Sequence, residues 1–140
     1  MTIEYTTDPS AIDWEVLKKD LILDDFHNGR TTGQLRLSFE NSQVQIYAMD
    51  GRLCMGTARA ISDLVCNAYV IDVWTLTSYR GQGIATQMMN QIIEQCPGQH
   101  IYLMTDDAVP FYRQLGFTER PTGMEIISGD YLQNDTREKA

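Results

Sequence analysis

Three stretches in immediate succession decide how this chain is read: Ala68-Tyr69-Val70-Ile71-Asp72-Val73-Trp74-Thr75-Leu76, then Arg80-Gly81-Gln82-Gly83, then Ile84-Ala85-Thr86-Gln87-Met88-Met89. The first is rich in β-branched and aromatic residues and reads as a strand. The second is a glycine turn. The third opens an amphipathic helix, because Ile84, Met88 and Ile92, with Ala85, Met89 and Ile93, recur at helical spacing until Pro97-Gly98 ends the pattern. A turn that opens a helix leaves the first amides of that helix without partners, all facing one point. The helix dipole adds positive potential there, so the turn is a cradle for an anion such as phosphate. Gly81 and Gly83 let the backbone approach a ligand closely, and Arg80 can add a charge-assisted contact.

Upstream of this unit the chain alternates like a meander. Val44, Ile46 and Ala48 interleave with Gln43, Gln45 and Tyr47, Asp50-Gly51 signals a hairpin turn, and Leu53–Ile61 is the returning strand. Ser62–Asn67 is a looser connection into the Ala68–Leu76 strand. Before the meander, Ile3–Thr6 reads as a strand. A helix from Asp13 to Asp25 carries Ile12, Val16, Leu17, Leu21 and Ile22 at helical spacing, with Asp13 as its cap. Thr32–Asn41 reads equally as a helix, with Leu35 and Phe39 one turn apart, or as a strand with Leu35, Leu37 and Phe39 alternating. Downstream, Ile101–Met104 is a brief strand and Ala108–Leu115 a short helix closed by Gly116. Phe117–Arg120 and Glu125–Ile127 read as two last strands, and the polar tail from about 129 to 140 is expected to fray. The strands before and after the main helix are expected to be parallel neighbours, giving a mixed α/β layout.

Composition narrows the function. At 140 residues, 43% hydrophobic and 21% charged, the chain is one globular domain spanning 1–140. No apolar run is long enough for a membrane helix, and the first twenty residues lack the basic start of a signal peptide, so a cytoplasmic protein without a membrane partner is expected. The net charge of −8 and the lack of a Lys/Arg cluster argue against nucleic acid and mildly favour cationic partners such as amines. Cys54, Cys66 and Cys96 form no C-x-x-C pair and suit buried thiols in a reducing compartment, and two distant histidines make a metal site unexpected.

Among phosphate-binding turns, a Walker loop fails because no lysine follows Gly83, and a dinucleotide fingerprint fails because Thr86 stands where its third glycine belongs. Arg80-Gly81-Gln82-Gly83-Ile84-Ala85 instead resembles the coenzyme A turn, [QR]-x-x-G-x-[GA], of the GNAT N-acetyltransferase superfamily. Ala108-Val109-Pro110-Phe111-Tyr112-Arg113-Gln114-Leu115-Gly116-Phe117 resembles that family's A-x-x-F-Y-x-x-L-G-F signature, and Val73–Tyr79 stands where its L-A-V-x-P-x-Y usually lies. The resemblance implies a mixed, mostly antiparallel sheet of six to seven strands with a V-shaped split, flanked by about four helices.

It also implies acetyl-CoA as co-substrate. Its diphosphate would lie on the turn formed by Arg80, Gly81, Gln82, Gly83, Ile84, Ala85 and Thr86, and its pantetheine arm beside Val73, Trp74 and Thr75. Tyr112 corresponds to the residue that protonates the leaving thiolate, with simple packing of its helix as the alternative. The acceptor amine, near pKa 10.4, is over 99% protonated at neutral pH, a handicap of roughly 4–5 kcal/mol that an acid or an acid-held water should relieve. Asp106 and Asp72 are the first candidates, with Asp63 and Asp107 behind them. Asp72 interrupts an apolar strand, so it either faces the slot or is paired inside; Asp106 and Asp107 could instead be helix caps. Trp74 stands where the family usually has a small residue and either shapes an acceptor pocket or fills the core. Thr105 replaces an asparagine that touches pantetheine in many members.

A finer resemblance, on Arg59-Ala60-Ile61-Ser62-Asp63, Asn67-Ala68, Ile71-Asp72-Val73, Phe111–Phe117 and Gly123-Met124, is to the small arylalkylamine (serotonin-type) N-acetyltransferases of plastids and cyanobacteria. It implies a small-molecule primary amine as acceptor; direct acetyl transfer without a covalent enzyme intermediate and without a metal is expected, and since many members of the superfamily dimerise, a homodimer is one arrangement open to the late strands. The competing readings are a protein or peptide acceptor and a non-catalytic acyl-CoA sensor.

Overall fold

The structure is a computed structural model describing residues 2–133. Its elements are β1 (Ile3–Thr6), α1 (Trp14–Leu23), α2 (Thr32–Glu40), β2 (Val44–Asp50), β3 (Leu53–Ser62), β4 (Asn67–Thr75), α3 (Ile84–Glu94), β5 (His100–Tyr102) and α4 (Val109–Gln114). The strands form one five-stranded sheet in the order β1-β2-β3-β4-β5. All neighbours are antiparallel except β4 and β5, which run parallel across the α3 crossover.

Local chemistry explains the helix starts. Asp13 accepts from the Val16 amide at 3.2 Å and caps α1. Thr31 and Gln34 form a reciprocal capping box, with the Gln34 amide donating to Thr31 Oγ1 (3.0 Å) and the Thr31 amide donating to Gln34 Oε1 (2.9 Å). That cap resolves the helix-or-strand ambiguity of Thr32–Asn41 in favour of a helix, and Leu35 and Phe39 turn inward on one face. In α1 the inward stripe is Trp14, Leu17 and Leu21, while Val16 and Ile22 face outward.

The sheet carries a core on each face. On one side Ile46, Ala48, Ala58, Ala60, Ala68 and Val70 pack against Ile84, Met88, Met89 and Ile92 of α3. On the other, Tyr47, Met49, Cys54 and Trp74 pack against α1 and α2 through Trp14, Leu17, Leu21, Leu35 and Phe39. Gly56 keeps α3 close to the sheet: a Cβ there would lie 3.1 Å from Met88 Cε and 3.3 Å from Ile84 Cγ2.

Three sequence expectations change. The sheet has five strands rather than six or seven, because Phe117–Arg120 and Glu125–Ile127 join no ladder. Met124 and Ile126 are both 92% exposed, and β5, three residues long, offers a very short edge for further pairing. Cys54 and Cys96 are buried, but Cys66 is exposed, because it lies in the β3–β4 turn that Asp63 organises. Asp63 Oδ1 accepts from the amides of Val65, Cys66 and Asn67 at 2.9, 2.8 and 3.1 Å. The start of the tail is also held, since Gln34 Nε2 donates to Leu132 O at 2.8 Å; residues 134–140 of the expected frayed tail lie outside the described residues. Among the described residues no helix is long and apolar enough to cross a membrane.

Candidate active site

β4 is two strands in one. Asn67, Ala68 and Tyr69 pair with β5 on one side and with β3 on the other, but from Val70 onward no β5 partner remains. The register against β3 slips at that point: Arg59 faces Ile71 and Thr57 faces Trp74, so Asp72 and Val73 together oppose Ala58. Asp72 takes the left-handed conformation, with φ 56°. This is a β-bulge, a feature that bends and twists a strand, and it falls just after pairing with β5 ends.

The bulge also reverses the facing of the side chains. Strict alternation from Ala68 and Val70 would put Trp74 on the α3 side. Instead Val73 packs on that side, and Trp74, 2% exposed, joins the α1/α2 core with its indole N–H donating to Asp24 Oδ2 at 2.9 Å. Trp74 is therefore a core residue.

Leu76 N–H donates to Met55 C=O at 2.8 Å, and Gly56 faces Thr75. The antiparallel alternation then turns the backbone groups of Trp74 toward β3 and those of Thr75 toward the open side. The Thr75 carbonyl accepts there from Arg80 Nε at 3.0 Å, and Thr75 Oγ1 is buried with no hydrogen-bond partner. An orphaned hydroxyl at an unpaired strand edge is a feature a ligand can satisfy.

The glycine turn lies directly beyond. Gly81 (φ 80°) and Gly83 (φ 79°) are both left-handed, and a Cβ built on either meets nothing within 4 Å. The amides from Gly81 to Thr86 donate to no acceptor among the described residues, while the preceding Tyr79 and Arg80 amides close a 3-10 turn onto Leu76 and Thr77. The consequence is a row of free N–H donors at the head of α3 with open space in front of it, so the residues present fit a diphosphate.

Asp24, at the end of α1, holds this corner together, and the sequence reading missed it. Its carboxylate accepts from Trp74 Nε1, from the Thr77 amide (3.2 Å) and from Thr77 Oγ1 (2.6 Å), and lies 3.7 Å from Arg80 Nη2. These contacts, the Thr77 hydroxyl foremost, hold its carboxyl below the ordinary carboxylate range. The signal was weak in sequence, because an aspartate after a helix usually faces water.

Tyr112 lies half-buried on α4, its ring edge-on to Phe111 (4.9 Å) and Phe117 (5.8 Å), and its hydroxyl has no partner among the described residues. Burial, with the Asp107 charge adding to it, raises its phenol above the usual value, so it remains a proton donor at neutral pH. Asp106 and Asp107 are exposed and do not cap α4; Thr105 Oγ1 instead accepts from the Ala108 amide at 3.0 Å. Asp63 is committed to its turn, which holds its carboxyl well below the usual range.

Asp72 is paired inside, the second of its two expected fates. Arg30 Nη1 and Nη2 reach its two oxygens at 2.9 and 3.1 Å, and Arg59 Nε donates to Oδ2 at 2.7 Å. These three residues help line a cavity of about 470 Å³ on the α1/α2 side, walled by Phe26, Tyr69 and Tyr131.

Comparison with known proteins decides the family. The acetyltransferase (GNAT) family model matches residues 7–117. The chain belongs to the GNAT acetyltransferase family. Its GNAT relatives include a protein named uncharacterized N-acetyltransferase ycf52 from Gracilaria tenuistipitata var. liui, 37% identical over 104 residues, covering 69% of this chain and 57% of that protein. A histone acetyltransferase named TAP1 from Glycine max is 37% identical over 75 residues, 51% of this chain and 32% of its own. The chain thus spans little more than half the length of the ycf52 relative. Among solved structures, a GNAT-family protein from Xanthomonas campestris pv. campestris superposes with a TM-score of 0.78 at 23% identity, covering 90% of this chain and 94% of that one. A Clostridium acetobutylicum acetyltransferase crystallised with acetyl-CoA gives 0.68 at 20% identity, covering 90% and 96%. These two likenesses are of fold.

Proposed function

We propose that this GNAT domain, across residues 1–140, is an acetyl-CoA-dependent N-acetyltransferase that passes acetyl directly to a small-molecule primary amine. The observation carrying this reading is the run of free amides from Gly81 to Thr86 set beside the unpaired half of β4. Acetyl-CoA supplies an activated acetyl thioester. The amides of Gly81–Thr86 and the Arg80 guanidinium hold its diphosphate, and the open edge at Val73–Thr75 orients the amide-bearing arm. A free N–H on that edge polarises the acetyl carbonyl. Tyr112 delivers its phenolic proton to the departing thiolate sulfur. Asp106 takes the proton of the amine, directly or through one water; Asp72, whose oxygens already accept three guanidinium hydrogen bonds, is left out of this proton transfer.

The cavity favours a small acceptor: its volume suits a compact molecule, and Phe26, Tyr69 and Tyr131 suit an aromatic amine of the arylalkylamine type. A protein acceptor is the second reading, favoured by the name of the Glycine max relative.

The test is Tyr112→Phe assayed by thiol release across amines, polyamines and peptides. We expect turnover on the best substrate to fall by about 100-fold with the fold intact. Unchanged turnover would remove Tyr112 from the chemistry, a peptide-only response would overturn the small acceptor, and binding without turnover on every acceptor would favour a sensor.

A further inference from the structure

The buried cluster Arg30–Asp72–Arg59 has no step in the chemistry above, yet it lies at the bend that opens β4. The side chains of Arg30 and Asp72 are 5% and 7% exposed, and that of Arg59 11%. An aspartate at φ 56° is in a conformation that L-residues enter at a cost, so something must hold it there. Its carboxylate is gripped from two directions. Arg30 comes from the α1–α2 connection and is itself fixed by Nε donating to His27 O at 3.2 Å. Arg59 comes from the neighbouring strand, where its Nη1 also donates to Ser42 Oγ (3.1 Å) and Ser38 O (3.3 Å), with the guanidinium 5.5 Å from the Phe39 ring centroid. On the backbone side, Thr57 Oγ1 donates to the Asp72 carbonyl at 2.9 Å. Every contact draws Asp72 toward β3 and α2, away from β5.

We infer that the Arg30–Asp72–Arg59 cluster is a clamp that holds the β4 bulge, and through it the open strand edge on which acetyl-CoA is positioned. The inference rests on the acetyl-CoA reading above. Asp72 is a positioning residue, and its carboxylate works by fixing backbone geometry rather than by moving protons.

The experiment compares Asp72→Ala with Asp72→Gly. Both remove the carboxylate, but glycine takes a positive φ without strain. Acetyl-CoA binding is measured by calorimetry on each purified protein, first on wild type, so that a wild-type protein that binds none would mark failure of the acetyl-CoA reading rather than of the clamp alone. We expect Asp72→Ala to weaken acetyl-CoA binding about tenfold and Asp72→Gly to recover most of that loss, since the left-handed strain is the difference between them. Equal affinities for the two variants would overturn the clamp. So would loss of the acidic limb of the kcat–pH profile with acetyl-CoA affinity unchanged, which would make Asp72 a base. Because leaving two buried guanidiniums unpaired can unfold the chain, Arg59→Gln supplies a second arm that keeps the bidentate Arg30 pair. It should raise the KM for acetyl-CoA about threefold with kcat nearly constant, in keeping with the loss of one charge-assisted hydrogen bond. An unchanged KM in that variant would also overturn the clamp.

Discussion

The two halves of β4 belong to one continuous strand but have different neighbours. Asn67–Tyr69 lie between two strands and contribute to the core through Ala68, whereas Val73–Thr75 have a strand on one side only. Hydrophobicity does not distinguish them, since Ala68, Val73 and Trp74 are all apolar and all pack. The difference is in backbone hydrogen bonding: one half has its groups satisfied by β5, the other retains an unpaired edge and the orphaned Thr75 hydroxyl. A strand can thus be fully paired along part of its length and leave an open edge along the rest, with a bulge as the divide.

Three substitutions press on this contrast. The largest effect is expected at the core residue that follows the paired half. Val70→Ala removes two methyl groups at a site 2% exposed and should cost about 2 kcal/mol in a denaturant titration, leaving the acetyl-CoA affinity of the folded protein unchanged. A parallel loss of affinity would show that the halves are not separable. Next, Thr75→Val removes a buried hydroxyl without a partner, so it should stabilise the free protein by about 1 kcal/mol while weakening acetyl-CoA binding. Stabilisation without loss of affinity would remove that hydroxyl from the site.

The smallest effect concerns pH at the end of the open half. Because the folded state lowers the Asp24 carboxyl, its contribution is complete above the unfolded value of about 4 and disappears as pH falls through the folded one. Asp24→Asn should therefore flatten the acid limb of the melting temperature without changing its shape at neutral pH. An unaltered acid limb would show that Trp74 and Thr77 are held by other contacts.

Much of this was legible in the chain. Arg80-Gly81-Gln82-Gly83 followed by a helical stripe announced unpaired amides at a helix head, because glycine spacing and helix periodicity are local properties. The meander was legible from period-two alternation and Asp50-Gly51. Strand count was not: Glu125-Ile126-Ile127 has the composition of a strand, but pairing needs an edge long enough to receive it. The fate of Asp72 was not legible either, since both of its partners lie far away in sequence.

Local order along the chain determined the helix caps, the hairpin, the glycine turn with its unpaired amides and the position of Tyr112, all of which depend on contacts within a few residues. Only the tertiary structure decided which way Trp74 faces, that Asp72 is clamped between Arg30 and Arg59, and that Asp24 supports the corner. A one-residue slip between two strands inverts every side chain beyond it, and a buried carboxylate takes whichever cations the fold brings within 3 Å or so; neither is set by neighbours in sequence.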